Sequence, residues 1–181
     1  MIGLSKKYLP DTITVDGREF AIHTEHFFWL CFAAVISKNG ATLDEVDFIY
    51  NGEPPRDRRA GFTELLKFYN PAQPLPRNTG GNGSRCIDFV QDEDLIYSAF
   101  YELYGIDLKE RPLHWHKFLS LFRGLHGTKL NDVMAFRSYD ETDKDDYKTY
   151  MRRMRNAWAL NTETEEDKEI TEKFNSVFTE A

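Results

Sequence analysis

The stretch RPLHWHKFLSLFRGL, residues 111–125, decides how this chain is read, because it sets two histidines on either side of Trp115. In a strand, His114 and His116 would share a face and could offer two imidazoles to one ion. Pro112, however, suits the first turn of a helix. Phe118, Leu119, Phe122 and Leu125 then continue with a helical period. The spacing predicts a helix that opens at Pro112 and ends at Gly124 or Gly127. Helical residues two apart point roughly 200° apart, so the two rings would not ligate one ion. On this reading Leu113 and Phe118 belong to the core, and Trp115 packs with one edge towards a polar partner for its indole N–H. His114 is a hydrogen-bonded structural histidine, and His116 is half exposed on the far face.

Working outward, ITVDGREFAI (13–22) predicts a β-hairpin around Asp16-Gly17, with Ile13, Val15, Phe20 and Ile22 on one face. Thr24 is the expected N-cap of a helix that carries FFWLCFAAVI (27–36) to Lys38 and stops at Asn39-Gly40. Thr42 and Glu45 form a capping-box pair, which favours a short helix before Pro54-Pro55. Further helices are expected over 57–69, 92–105, 130–137 and 145–160, the last opened by Thr142 with Asp145. Residues 70–86, rich in proline and glycine, read as a loop. Its glycines lack the Lys-Ser/Thr of a phosphate loop. The expected fold is mainly α, a single-domain helical bundle with a small N-terminal β-hairpin. It spans 1–160 and is followed by an acidic tail, 161–181. Core positions are expected at Phe28, Leu30, Phe62, Leu65, Ile96, Phe100, Leu103, Leu113, Phe118, Phe122, Val133, Met151 and Trp158.

Charge narrows the function. The chain carries −7, and seven acids against two lysines in 161–181 account for −5 of it. The body is near neutral and offers no basic field for nucleic acid. The longest apolar run, ten residues, is too short to span a bilayer. Cys31 and Cys86 stand apart in sequence, which fits a reducing cytoplasm. His23 and His26 are three apart, but His23 precedes the expected cap, and neither HExxH nor CxxC accompanies them. No nucleophile motif is present. The reading is a non-enzyme without catalytic residues, metal or cofactor. A metal enzyme using the five histidines is the competing class.

Several stretches together resemble a family. LPDTITVDGREFAI opens the chain. IDFVQDEDLIYSAFYELYGIDL follows with its Phe89-x-x-Asp92, then RPLHWHKFLSLFRGL and MAFRSYD. The series is similar to the bacteriophage gene product 15 family over about residues 9 to 160. His116 departs from it, standing where the family has a second tryptophan. Leu113, His114, Trp115, Lys117 and Phe118 are the motif residues, and a structural role is expected for them. The resemblance implies a phage tail assembly chaperone that coats the tape-measure protein in the host cytoplasm and is absent from the mature virion. An upstream tail assembly chaperone is a further candidate partner. The residues leave four readings open for the tail face Ile170, Phe174, Val177 and Phe178: docking on the chain's own domain, on a second copy or on a client, or a frayed terminus that docks on nothing. The alternative function is a DNA-binding regulator, since HKFLSLFRGLHGTKLNDVMAFRS has a loose helix-turn-helix shape.

Overall fold

The computed structural model describes residues 8–38, 40–70, 85–140 and 148–161. Strands β1 (Thr12–Val15) and β2 (Arg18–Ala21) pair antiparallel, with Ile13 opposite Phe20. Asp16 and Gly17 take φ of 50° and 75°, the two positive values of a type I′ turn, whose twist matches the flanking strands. Ile13, Val15 and Ile22 are buried and Phe20 partly so, which is the face expected from sequence.

Helix α1 (His26–Ile36) follows, then a 3-10 helix (Leu43–Ile49), α2 (Arg58–Tyr69), α3 (Glu93–Tyr104), α4 (Trp115–Arg123), α5 (Lys129–Ser138) and α6 (Lys148–Ala157). The chain is mainly α with one small hairpin, as expected. Asp57 caps α2 by accepting the Ala60 amide at 2.9 Å. Gly105, at φ 63°, closes α3 in the left-handed conformation that glycine adopts freely. The Glu45 carboxylate reaches back to the Thr42 amide at 2.8 Å, as a capping box requires, but the turn it opens is 3-10.

The hairpin packs on α2, α1 on the 3-10 helix, α3 on α5, and α5 on α6. The core between them holds Trp29, Phe32, Ile49, Leu65, Phe100, Trp115, Phe118, Leu130 and Val133.

Four expectations about elements need correction. Glu25, in extended conformation, occupies the cap position of α1 instead of Thr24, whose carbonyl is taken by the Trp115 amide and not by the helix. Helix α1 ends at Ile36 rather than Lys38, where the Ser37 hydroxyl and amide both turn back to the Ala33 carbonyl. Its core residues are Trp29 and Phe32, whereas Phe28 and Leu30 are only partly buried. Helix α1 is apolar around its whole circumference, so periodicity cannot choose its inner face. Finally, α6 buries no residue fully. Met151 on this surface helix and Trp158, one residue past its end, are partly covered, not core. Thr142 and Asp145 lie outside the described residues.

Candidate functional site

The motif LHWHKF begins where α4 meets α1. The Trp115 amide donates to the Thr24 carbonyl at 2.6 Å, and the His26 amide to Leu113 at 2.7 Å. Glu25 and His114 thus form an antiparallel bridge, and the two helices start side by side. The His26 ring adds to this seam, since its Nδ1 accepts the Leu113 amide at 3.2 Å. Burial pushes the His26 imidazole below its usual range. Helix α4 therefore starts at Trp115, three residues after Pro112, and the proline stands outside it.

This start changes the reading of the histidines. His114 is the N-cap. Its Nδ1 accepts the His116 amide at 3.1 Å, and its Nε2 lies 2.9 Å from the Pro10 carbonyl. A carbonyl can only accept, so Nε2 carries the proton and the ring is neutral. Burial again lowers its pKa. His116 is 5% exposed rather than half exposed. It sits in the first turn of α4 against the end of α2, where it stacks on Phe68 at 4.4 Å and donates from Nε2 to the Phe68 carbonyl at 2.9 Å. Burial lowers it to about 4, and its buried Nδ1 has no hydrogen-bond partner. The two rings do not diverge as they would inside one helix: they meet edge to face at 5.2 Å. Each nevertheless directs its Nε2 at a backbone carbonyl, so the pair acts as a set of struts.

The rest of the motif builds a stack. Tyr69, Trp115, Phe118 and Phe100 lie nearly parallel, with successive centroids 5.3, 5.4 and 5.0 Å apart. The Trp115 indole N–H donates to the Tyr69 carbonyl at 3.0 Å, which satisfies the polar edge of a buried ring. Leu113 is half-buried and Lys117 faces solvent.

Sequence reading missed a second centre. Arg137 on α5 is 7% exposed and Asp92, at the start of α3, 2%. The guanidinium grips both carboxylate oxygens, at 2.6 and 2.8 Å. It also donates to the carbonyls of Trp158, at 2.6 Å, and Cys86, at 3.2 Å. Asp92 in turn accepts the Asp88 amide at 2.9 Å. One side chain therefore ties α5, α3, the chain after α6 and the segment before α3 together. The signal was present: Arg137 extends the Leu130–Val133 inner stripe by one further turn, so a charged group had to be buried and paired.

Among the described residues, no three His, Cys, Asp or Glu side chains are grouped as ion ligands. None of the helices described is long and apolar enough to cross a membrane. The tail residues Ile170, Phe174, Val177 and Phe178 lie outside the described residues. One open apolar surface is on α1, where Phe27 is 45% exposed and Cys31 is exposed.

Fold and contacts define a mainly helical domain whose motif residues form an aromatic stack and a buried ion-pair clamp. The chain belongs to the bacteriophage Gp15 protein family: that family's profile matches residues 62–160, more than half of the chain. The matched part runs from Phe62 in α2 through α6. It contains the Asp92–Arg137 clamp and the whole of LHWHKF, whereas the resemblance drawn from sequence also took in the hairpin and α1. Neither the curated proteins nor the solved structures gave a match.

Proposed function

We propose that this phage protein is a non-enzymatic tail assembly chaperone that covers the tape-measure protein before the tail tube closes around it. The observation that carries the reading is the family match over residues 62–160. The chemistry of the fold supports it. His114 and His116 direct their Nε2 atoms at backbone carbonyls, and the Asp92 carboxylate is fully engaged by Arg137. These groups are positioned to hold helices, not to move protons on a substrate. A tape measure is a long helical chain with apolar stripes. Each methylene removed from water contributes about 0.8 kcal/mol, so bare stripes would associate. A small helical protein presenting an apolar face answers that need by helix-against-helix contact. Moderate affinity per copy suffices when many copies line one client, and it allows release. The protein would act in the host cytoplasm and leave before the virion is complete. An upstream tail assembly chaperone is a second proposed partner.

The DNA-binding alternative loses ground at Arg137. The arginine that a recognition helix at α5 would bring to phosphate is buried against Asp92.

The test is co-expression with a tape-measure fragment that aggregates alone. The fragment is expected to move from the pellet into a soluble complex that co-purifies with this chain. Failure to co-purify at every salt concentration would sink the reading.

A further inference from the structure

Three of the five histidines make bonds between distant segments, and the other two are local. His23 stacks on Phe28, and His126 bonds Gly124 two residues away. His26, by contrast, reaches Leu113 across 87 positions, His114 reaches Pro10 across 104, and His116 reaches Phe68 across 48. All three rings sit at the start of a helix. His26 opens α1, His114 caps α4, and His116 lies in the first turn of α4. A helix N-terminus carries partial positive charge, so it disfavours an imidazolium there.

Each bond also demands a neutral ring. Nδ1 of His26 accepts the Leu113 amide, and Nδ1 of His114 accepts the His116 amide. A proton added at either nitrogen would face an N–H donor, and the bond would be lost. His116 would take its proton on a buried Nδ1 that has no hydrogen-bond partner. The surroundings give a charge little help. His26 meets the rings of Phe27 and Phe118, and the Glu25 carboxylate beside it is engaged by the Thr24 amide. Burial disfavours the charged form of all three rings. Lys117 adds to this at His114 and Arg123 at His116, while Asp11 opposes it at His114. The rings of His114 and His116, 5.2 Å apart, would repel each other once charged.

We propose that these imidazoles make the seam between α1 and α4 an acid-released latch. Protons taken up at His26 and His114 part the start of α1 from the start of α4. Meanwhile α3 and α5, joined through Asp92 and Arg137 with no imidazole between them, stay packed. Once the rings are charged, the Trp115–Thr24 and His26–Leu113 backbone bonds are left as the polar links of the seam. The neutral rings are the folded form. The latch is therefore closed above the ordinary imidazole value of 6.5 and opens as pH falls below it. Release would free the first turn of α1 beside the exposed Phe27. The device belongs to the fold and does not depend on what the client is.

The test is hydrogen exchange on the full chain, read as protection factors so that the intrinsic pH dependence of exchange cancels. Between about pH 7 and pH 5, the Leu113, Trp115 and His116 amides are expected to lose protection by about tenfold or more, while those of Ile96, Ala99 and Phe100 in α3 keep theirs. In His26→Asn plus His114→Asn, Oδ1 stands where Nδ1 stood and takes up no proton, and asparagine is itself a favoured cap. The same amides should then hold their protection across that range. A loss in this variant equal to that in the unsubstituted chain would overturn the proposal. Simultaneous loss in α3 would overturn it too, since that is global unfolding. A second readout needs no substitution. Nitrogen NMR shifts should show His26 and His114 as neutral Nε2–H tautomers near neutral pH, protonating below 6.5 together with the loss of protection. Protonation at or above 6.5, or without loss of protection, would count against the latch.

Discussion

Arg137→Ala is expected to be among the most damaging single changes outside the aromatic core. The substitution leaves the Asp92 carboxylate 2% exposed and without its two guanidinium bonds. It also frees the Trp158 and Cys86 carbonyls from their donor. Removing one partner of a buried pair costs about 3–5 kcal/mol, because an uncompensated charge remains in low dielectric. In a chain of this length each kcal/mol lowers Tm by about 2–4 °C, so the loss should be roughly 6–20 °C. The assay is urea and thermal unfolding followed by tryptophan fluorescence and circular dichroism. Asp92→Leu combined with Arg137→Met removes both charges together, and should recover much of what Arg137→Ala loses. Hydrogen exchange adds a spatial check. Amides of 85–92 and of the chain after α6 should lose protection in Arg137→Ala, since Arg137 joins both to α5. A loss below about 1 kcal/mol would refute the reasoning, as that is the scale of a solvated surface pair.

Acid stability should depend on His116, whose folded-state pKa lies near 4 against 6.5 for the free side chain. The neutral ring is the buried form, so its contribution is complete above about pH 6.5 and declines as pH falls towards 4. At most about 3 kcal/mol is lost across that window. Replacing His116 by Phe should flatten the pH profile of the urea midpoint between 7 and 4, and an unchanged slope would show that other groups set it. Phe118→Ala removes the ring shared by Trp115, Phe100 and His26, and should cost about 3–5 kcal/mol by the same unfolding assay. Gly61→Ala would place a Cβ 2.5 Å from the Tyr50 hydroxyl and 2.6 Å from Pro55 Cγ. The proline ring cannot swing aside, so a loss of about 1–3 kcal/mol is expected in thermal melts.

The hairpin, α2, α3 and α5 were legible in the sequence because each carries its own local signal, and α4 was legible in all but its start. Asp16-Gly17 dictates a turn, and Ile96, Ala99 and Phe100 make a clear stripe. What was not legible depends on contacts between distant segments. The Thr24 carbonyl accepts the Trp115 amide across 91 positions of sequence, and that single bond moves two helix starts. The burial of His116 follows from the later start of α4 and from Phe68, neither of which local periodicity reveals. On α1 the failure has another cause. A helix apolar on every side gives no amphipathic signal, so Trp29 and Phe32 were indistinguishable from Phe28 and Leu30 until neighbours were present.

The two family-motif features with no evident chemistry, the Asp92 of Phe89-x-x-Asp92 and the arginine of MAFR, meet in one buried pair. This convergence bears on where function resides. Phe89 packs edge to face on Trp115 and Phe122, within the stack that LHWHKF builds. Asp92, three residues on, fixes Arg137, and Arg137 holds the chain after α6. The motif therefore runs continuously from the aromatic stack through the ion pair to the point where the acidic tail departs. Apart from the exposed Lys117 its residues are buried or half-buried, and they fix where the chain after α6 lies against α3 and α5. On the proposed chaperone reading the client meets exposed surface, and α1's outward face, where Phe27 and Cys31 are exposed, is one such surface. Substitutions at Asp92 or Arg137 should weaken partner binding only as far as they loosen the fold. Phe27→Asp, on α1's open face, should weaken binding while leaving the unfolding midpoint nearly unchanged. Comparing binding loss with stability loss for these two sites separates scaffold from surface, and parallel losses at both would overturn the division.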